Sequence, residues 1–183
     1  MSQLTPEEGA ELIQIATDAL RQWVVCAQTY CGTPVHPALI KPGAAFVTLK
    51  RGAQLRGCIG RMIPIDPLYR TVADCAVAAG TRDPRFDAVR EEELSDLKLD
   101  ISVLSPLEAI DDMSLIEVGK HGLHIERGGR QGVLLPQVAV ELGLDRERFL
   151  ELTCSKAGLP TGAWKQGAVV KVFSAQIFHS GPF

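Results

Sequence analysis

The chain has 183 residues, with 19 Lys plus Arg against 22 Asp plus Glu, a formal net charge of -3 and 46% hydrophobic residues. This is the composition of an ordinary globular protein of one domain or two small lobes, whose folding buries roughly 70% of the unfolded chain's surface without a disulfide scaffold. Scattered glycines and prolines exclude low-complexity and repeat classes, and no apolar run is long enough for a transmembrane helix.

The first basic residue, Arg21, follows Glu7, Glu8, Glu11 and Asp18, so the basic start of a secretory signal is missing. Five unevenly spaced cysteines fit a reducing compartment, and a cytoplasmic location is expected. Charge is segmental: residues 41 to 90 hold nine basic and four acidic residues, a local +5. That segment is either a surface for an anionic partner or a set of solvated strand edges and loop ends.

Thr5, Pro6 and Glu8 form a capping-box start for a helix whose apolar face is Leu12, Ile13, Ala16, Leu20, Trp23 and Val24. Gly32, Pro34, Pro37, Pro42 and Gly43 then impose a loop. Phe46 to Lys50 and Leu55 to Gly60 read as a hairpin across a four-residue loop. Asp66 and Pro67 precede a second helix with Leu68, Val72, Cys75 or Ala76, and Ala79 inside and Gly80 as its stop, which makes Cys75 a packing residue. Leu97, Leu99, Ile101 and Val103 mark a half-buried strand.

From about Ser105 the elements shorten. His121 to Glu126 and Gly132 to Leu135 predict a second hairpin, Pro136 starts a helix ended by Gly143, and Asp145 caps another that Gly158 follows. Ala168 to Phe178 is the longest strand candidate, with Val169, Phe173, Ala175 and Ile177 on one face. Strands and helices do not alternate regularly, so an α+β fold with antiparallel sheets is expected.

Leu55-Arg56-Gly57-Cys58-Ile59-Gly60 is the most informative stretch. On a regular strand Leu55, Gly57 and Ile59 share the core face, while Arg56, Cys58 and Gly60 share the other. Glycines in a strand permit close approach of a ligand or another backbone, and a neighbouring guanidinium favours a thiolate. The alternative is a small buried hydrophobe. Zinc spacing, a phosphate loop, a dinucleotide fingerprint and a nucleophile elbow are all missing, and no metal or cofactor is predicted. An acidic chain with 5% aromatics makes nucleic acid an unlikely partner.

The LRGCIG hexapeptide resembles the signature of the AMMECR-type domain, named for the human Alport syndrome, mental retardation, midface hypoplasia and elliptocytosis region. Five further segments agree in order: Asp83 to Phe86, Ile101 to Glu108, Gly119 to Ile125, Leu134 to Ala139, and Lys156 to Pro160 with Trp164. The resemblance implies two lobes, about 1–105 plus 160–183 and about 106–159, each an antiparallel sheet with helices, and a cleft between them. It also implies a place as protein A of the AmmeMemoRadiSam system, beside Memo-like and radical-SAM proteins, binding a protein, peptide or small molecule in that cleft. Arg56, Gly57, Gly60, Asp83, Arg85, Gln137 and Lys156 are then the candidate ligand-binding residues. The alternative is a thiol-dependent enzyme with Cys58 as nucleophile, His121 as base and an arginine anion site. Simpler readings stand beside these: Asp83 and Arg85 as a mutual pair, His121 bonded to backbone at a strand end, and Gln137 and Lys156 on helix surfaces.

Overall fold

The computed structural model describes residues 3–181. By their contacts these fall into two compact units, one running to Leu104 and resuming at Gln176, the other Ser105–Ala175. Residues 160–175, assigned above to the first lobe, cluster with the second unit, because Ala163, Val170 and Val172 are part of its core. The fold is α+β with antiparallel strand pairing, as expected. Among the described residues no helix is long and apolar enough to cross a membrane.

The first unit begins with α1 (Pro6–Cys26), started by the predicted capping box: Glu8 N–H donates to Thr5 Oγ1 and Thr5 N–H to the Glu8 carboxylate. Leu12, Ala16 and Leu20 are buried with Ile15 and Ala19, whereas Trp23 is 39% exposed and leaves the predicted apolar face. A 3-10 turn, Pro37–Ile40, interrupts the following loop. Then come β1 (Ala44–Arg51) and β2 (Gln54–Arg61), a hairpin tighter than predicted, closed by Gly52 and Ala53 with Gly52 at positive φ. After α2 (Leu68–Thr81), β3 (Leu97–Leu104) pairs with β1. Gly80 does not stop α2; it is a buried residue inside it, over Leu20 and Leu49. Leu97, Leu99, Ile101 and Val103 are buried, as their alternation predicts, in one core with α1 and α2.

The second unit is built on β4 (Glu108–Ile110), β5 (His121–Arg127), β6 (Arg130–Leu134) and β7 (Val169–His179), paired in the order β4-β7-β5-β6. β4 is too short to leave a periodic signal. Gly128 and Gly129, both at positive φ, make the β5–β6 turn, matching the left-handed pair that a two-residue hairpin turn requires. Helix α3 (Pro136–Glu141) and helix α4 (Arg146–Lys156) follow, the latter capped by Asp145, which accepts from Arg148 N–H. Phe149, Leu150 and Cys154 bury against Leu123 and Ile125. The phase predicted for β7 is corrected: Val169 is exposed, and Val170 and Val172 enter the core. Last, the end of β7 lies in the first unit, where Ser180 N–H donates to Leu99 O.

Candidate functional site

Cys58 sits on β2, the edge strand, with β1 on one side. Thr48 is its cross-strand partner, and the Thr48 hydroxyl donates to Cys58 Sγ at 3.2 Å. On the open side the Cys58 N–H donates to Asp83 Oδ2 at 2.8 Å. That bond occupies an edge amide that would otherwise be free to pair with another chain.

Asp83 follows α2 and is 4% exposed. Its carboxylate also accepts from Arg85 N–H at 3.1 Å, Arg85 Nε at 2.9 Å and Arg85 Nη2 at 2.6 Å. The Arg85 hydrogen bond, helped by the Cys58 and Arg85 amides, overcomes burial and holds the Asp83 carboxyl well below the usual carboxylate range. Arg85 is itself held above its ordinary value, first by Asp83 and to a lesser extent by charge on Cys58. Its side chain is 51% exposed and lies over the Phe86 ring. Asp83 and Arg85 do pair with each other, then, but the pair also anchors the backbone of Cys58.

Arg56 does not join this cluster. The β1–β2 register shifts between Leu49 and Lys50, which pair with Gly57 and Leu55, so Arg56 is the extra residue of a bulge. A bulge redirects side chains. Arg56 turns to Glu93, donating from Nε and Nη2 at 2.9 and 3.0 Å, and from Nη1 to Asp87 O. Leu55 then shares the outer face with Lys50 and is 41% exposed, which corrects its predicted place in the core.

Gly57 is buried beneath α2, where a Cβ would be driven onto the Ala79 carbonyl oxygen. Gly60 faces the Phe46 ring. A helix backbone and an aromatic ring therefore account for the two glycines as close-approach positions.

The outer face carries residues that the sequence reading did not single out. Asp100 pairs with Thr48 across β1–β3 and receives Lys50 Nζ and His179 Nδ1, each at 2.7 Å. Burial alone would raise the Asp100 carboxyl; the hydrogen bonds from Lys50 and His179 bring it below its ordinary value. Alternation along β3 and β1 was the available signal for Asp100 and Thr48. Nothing in the sequence pointed to the capture of His179 from the chain's other end.

His121, Gln137 and Lys156 lie in the second unit. His121 opens β5, and its Nδ1 accepts from Glu117 N–H at 3.2 Å, the strand-end backbone bond weighed above. Gln137 is half-buried on α3. Lys156 is exposed in the last turn of α4, where a cation complements the helix dipole. Among the described residues no group of three or more His, Cys, Asp or Glu is placed to hold a metal. Cys75 is buried and its thiol is pushed up to about 11 by desolvation, so it serves packing. Cys26 and Cys31 are exposed.

A helix-backed, antiparallel α+β chain with a cysteine anchored on an edge hairpin defines a recognisable class. The AMMECR1 family model matches residues 13–178, and the chain belongs to that family. A protein of Methanothermobacter thermautotrophicus is 41% identical over 184 residues, covering 96% of both chains. One of Thermococcus onnurineus is 41% identical over 193 residues, covering 98% of this chain and 93% of its own. The crystal structure of an uncharacterized protein from Pyrococcus horikoshii superposes with a TM-score of 0.94 at 37% identity, covering 98% of this chain and 94% of that one.

Proposed function

We propose that the chain is a ligand-binding component of the AmmeMemoRadiSam system, with the Cys58, Asp83 and Arg85 cluster as its recognition site. The observation supporting this reading is the anchoring of Cys58: its amide is tied to a buried carboxylate that also fixes a half-exposed guanidinium. A fixed, accessible arginine is suited to a carboxylate or phosphate group, and a protein, peptide or small molecule bearing one is the expected ligand. The Memo-like and radical-SAM proteins are the expected partners.

Co-purification with the Memo-like protein tests this. Recovery should fall by about tenfold in Arg85→Ala, as expected for loss of one charge-assisted contact, and stay at the wild-type level in Arg56→Lys. Equal recovery with Arg85→Ala and Cys58→Ser would contradict the site, and the melting temperature of each variant shows that it is folded.

The second reading, a thiol-dependent enzyme, has its own support in the Thr48 hydroxyl donated to Sγ. A donor and a nearby guanidinium both favour thiolate over thiol. Nucleophilic Cys58 would then use Arg85, fixed by Asp83, for the anion.

A further inference from the structure

A cavity of about 440 Å³ lies between α1 and α2, and Trp23 and Val77 of the two helices share its lining with Thr29, Tyr30 and Cys31. Those three belong to the segment between α1 and the 3-10 turn at Pro37. Its fastenings define its path. At one end Ala27 takes φ 52, the one positive φ at a non-glycine among the described residues, and Ala27 N–H and Gln28 N–H close onto Trp23 O and Gln22 O. A left-handed residue in that position turns the chain back. At the other end the Glu11 carboxylate, two-thirds of the way back along α1, accepts Val35 N–H on Oε1 and His36 N–H on Oε2 at 3.1 Å, and the His36 ring meets Oε2 through Nδ1. Beyond this latch Leu39 is fully buried. Between the two, Tyr30 is held above its ordinary phenol value by burial and then by the charges of Asp18 and Glu11. The segment therefore runs antiparallel along α1.

Lengths decide how tightly it is drawn. Glu11 to Ala27 is sixteen helical steps, about 24 Å, while Ala27 to Val35 is eight chain steps, whose full reach is about 26–29 Å. The segment is nearly straight. No backbone amide from Thr29 to Thr33 is hydrogen-bonded among the described residues. Two side chains turn inward, Pro34, which is buried, and Tyr30, which is half-buried against the core with its ring so close to Gly32 that no Cβ fits there. Few buried contacts and no backbone ladder mark a segment that opens separately from its surroundings. A chain held near full extension also gains conformational entropy on release.

We propose that residues 28–35 form a strap over the α1–α2 cavity, latched by Glu11, that swings open about Ala27 while the rest of the first unit stays folded. Opening removes the wall made by Thr29, Tyr30 and Cys31 and admits solutes to the surface of Trp23 and Val77. The Glu11 carboxylate, which gathers three donors from two consecutive residues, sets how often this happens.

Chymotrypsin under native conditions reads the opening as cleavage after Tyr30, followed by mass and scaled to cleavage of a free peptide of the same sequence. In the unaltered chain the rate should change by less than about twofold per molar urea below the unfolding transition, because a local opening exposes little surface. Glu11→Ala leaves the three donors without their acceptor and should speed cleavage at least about tenfold. Glu11→Gln keeps an acceptor oxygen and should fall between. Glu7→Gln alters an exposed carboxylate that acts on His36 by charge but lies outside the latch, and it should leave the rate unchanged. A rate that climbs about fivefold or more per molar urea, as global unfolding requires, would overturn the proposal. So would no cleavage after Tyr30 before the chain unfolds, equal rates in the unaltered chain and Glu11→Ala, or the same acceleration in Glu7→Gln.

Discussion

Gly57→Ala is expected to lower stability by at least about 3 kcal/mol, at the upper end of overpacking costs because the obstruction is backbone. The new methyl would be driven onto the Ala79 carbonyl oxygen and lie 2.9 Å from its carbonyl carbon, and neither can rotate away. Strand β2 and helix α2 must separate, and with them the segment that places Asp83 against Cys58. Gly60→Ala provides the comparison. There the obstacle is the Phe46 ring, a side chain that can turn, so the loss should be smaller, about 1 kcal/mol. Urea midpoints with unchanged slopes measure both. Equal losses would mean that the α2 contact is not what demands glycine at Gly57.

Asp83→Ala is expected to cost about 2 kcal/mol or more, because it strips acceptors from the Cys58 and Arg85 amides and unsatisfied buried donors cost about 1–3 kcal/mol each. Arg85 is half-exposed, so water compensates much of its lost pairing. The effect depends on pH in one direction. The folded carboxyl titrates below its ordinary value, so the unfolded chain takes up the proton first as acid is added. The contribution is full above the unfolded value of about 3.9 and is lost as pH falls from there through the folded value. The difference in urea midpoint between wild type and Asp83→Asn should therefore be constant down to about pH 4 and shrink progressively as pH falls further. A constant difference down to pH 3 would contradict the charged pair as the source of stability.

The sequence was legible where structure is local. The capping box of α1, the alternation of β3, the Asp145 cap and the burial of Cys75 depend on neighbours within a few positions, and each stands where its pattern predicts. The errors arise where a distant segment decides. Arg56 stands at the bulge with its guanidinium paired to Glu93, 37 positions away, and past the bulge Leu55 faces outward. No periodicity within the hexapeptide carries that information. Trp23 is 39% exposed although Val24 beside it still packs against the core, and the chain turns at Ala27.

The candidate site divides in the same way. Cys58, Asp83 and Arg85 were named from the sequence, and the fold brings them together across 25 positions. Their arrangement was not legible, since Asp83 acts on the backbone of Cys58 and the Thr48 hydroxyl meets the thiol. The glycines of the hexapeptide predict close approach of a ligand or another backbone; the backbone of α2 meets Gly57, and the Phe46 ring meets Gly60. Lys156 and His121 have sufficient local explanations in a helix dipole and a backbone bond.

Differential labelling of the cysteines tests the recognition site most directly. The purified chain is treated with a limiting amount of a thiol probe, with and without a saturating concentration of the Memo-like protein. Cys58 labelling should slow about tenfold when partner exceeds its dissociation constant by that factor, while the exposed Cys26 and Cys31 label at unchanged rates. Equal Cys58 rates in the two samples, or equal slowing of all three cysteines, would contradict the assignment of the Cys58, Asp83 and Arg85 cluster as the place where a partner is held.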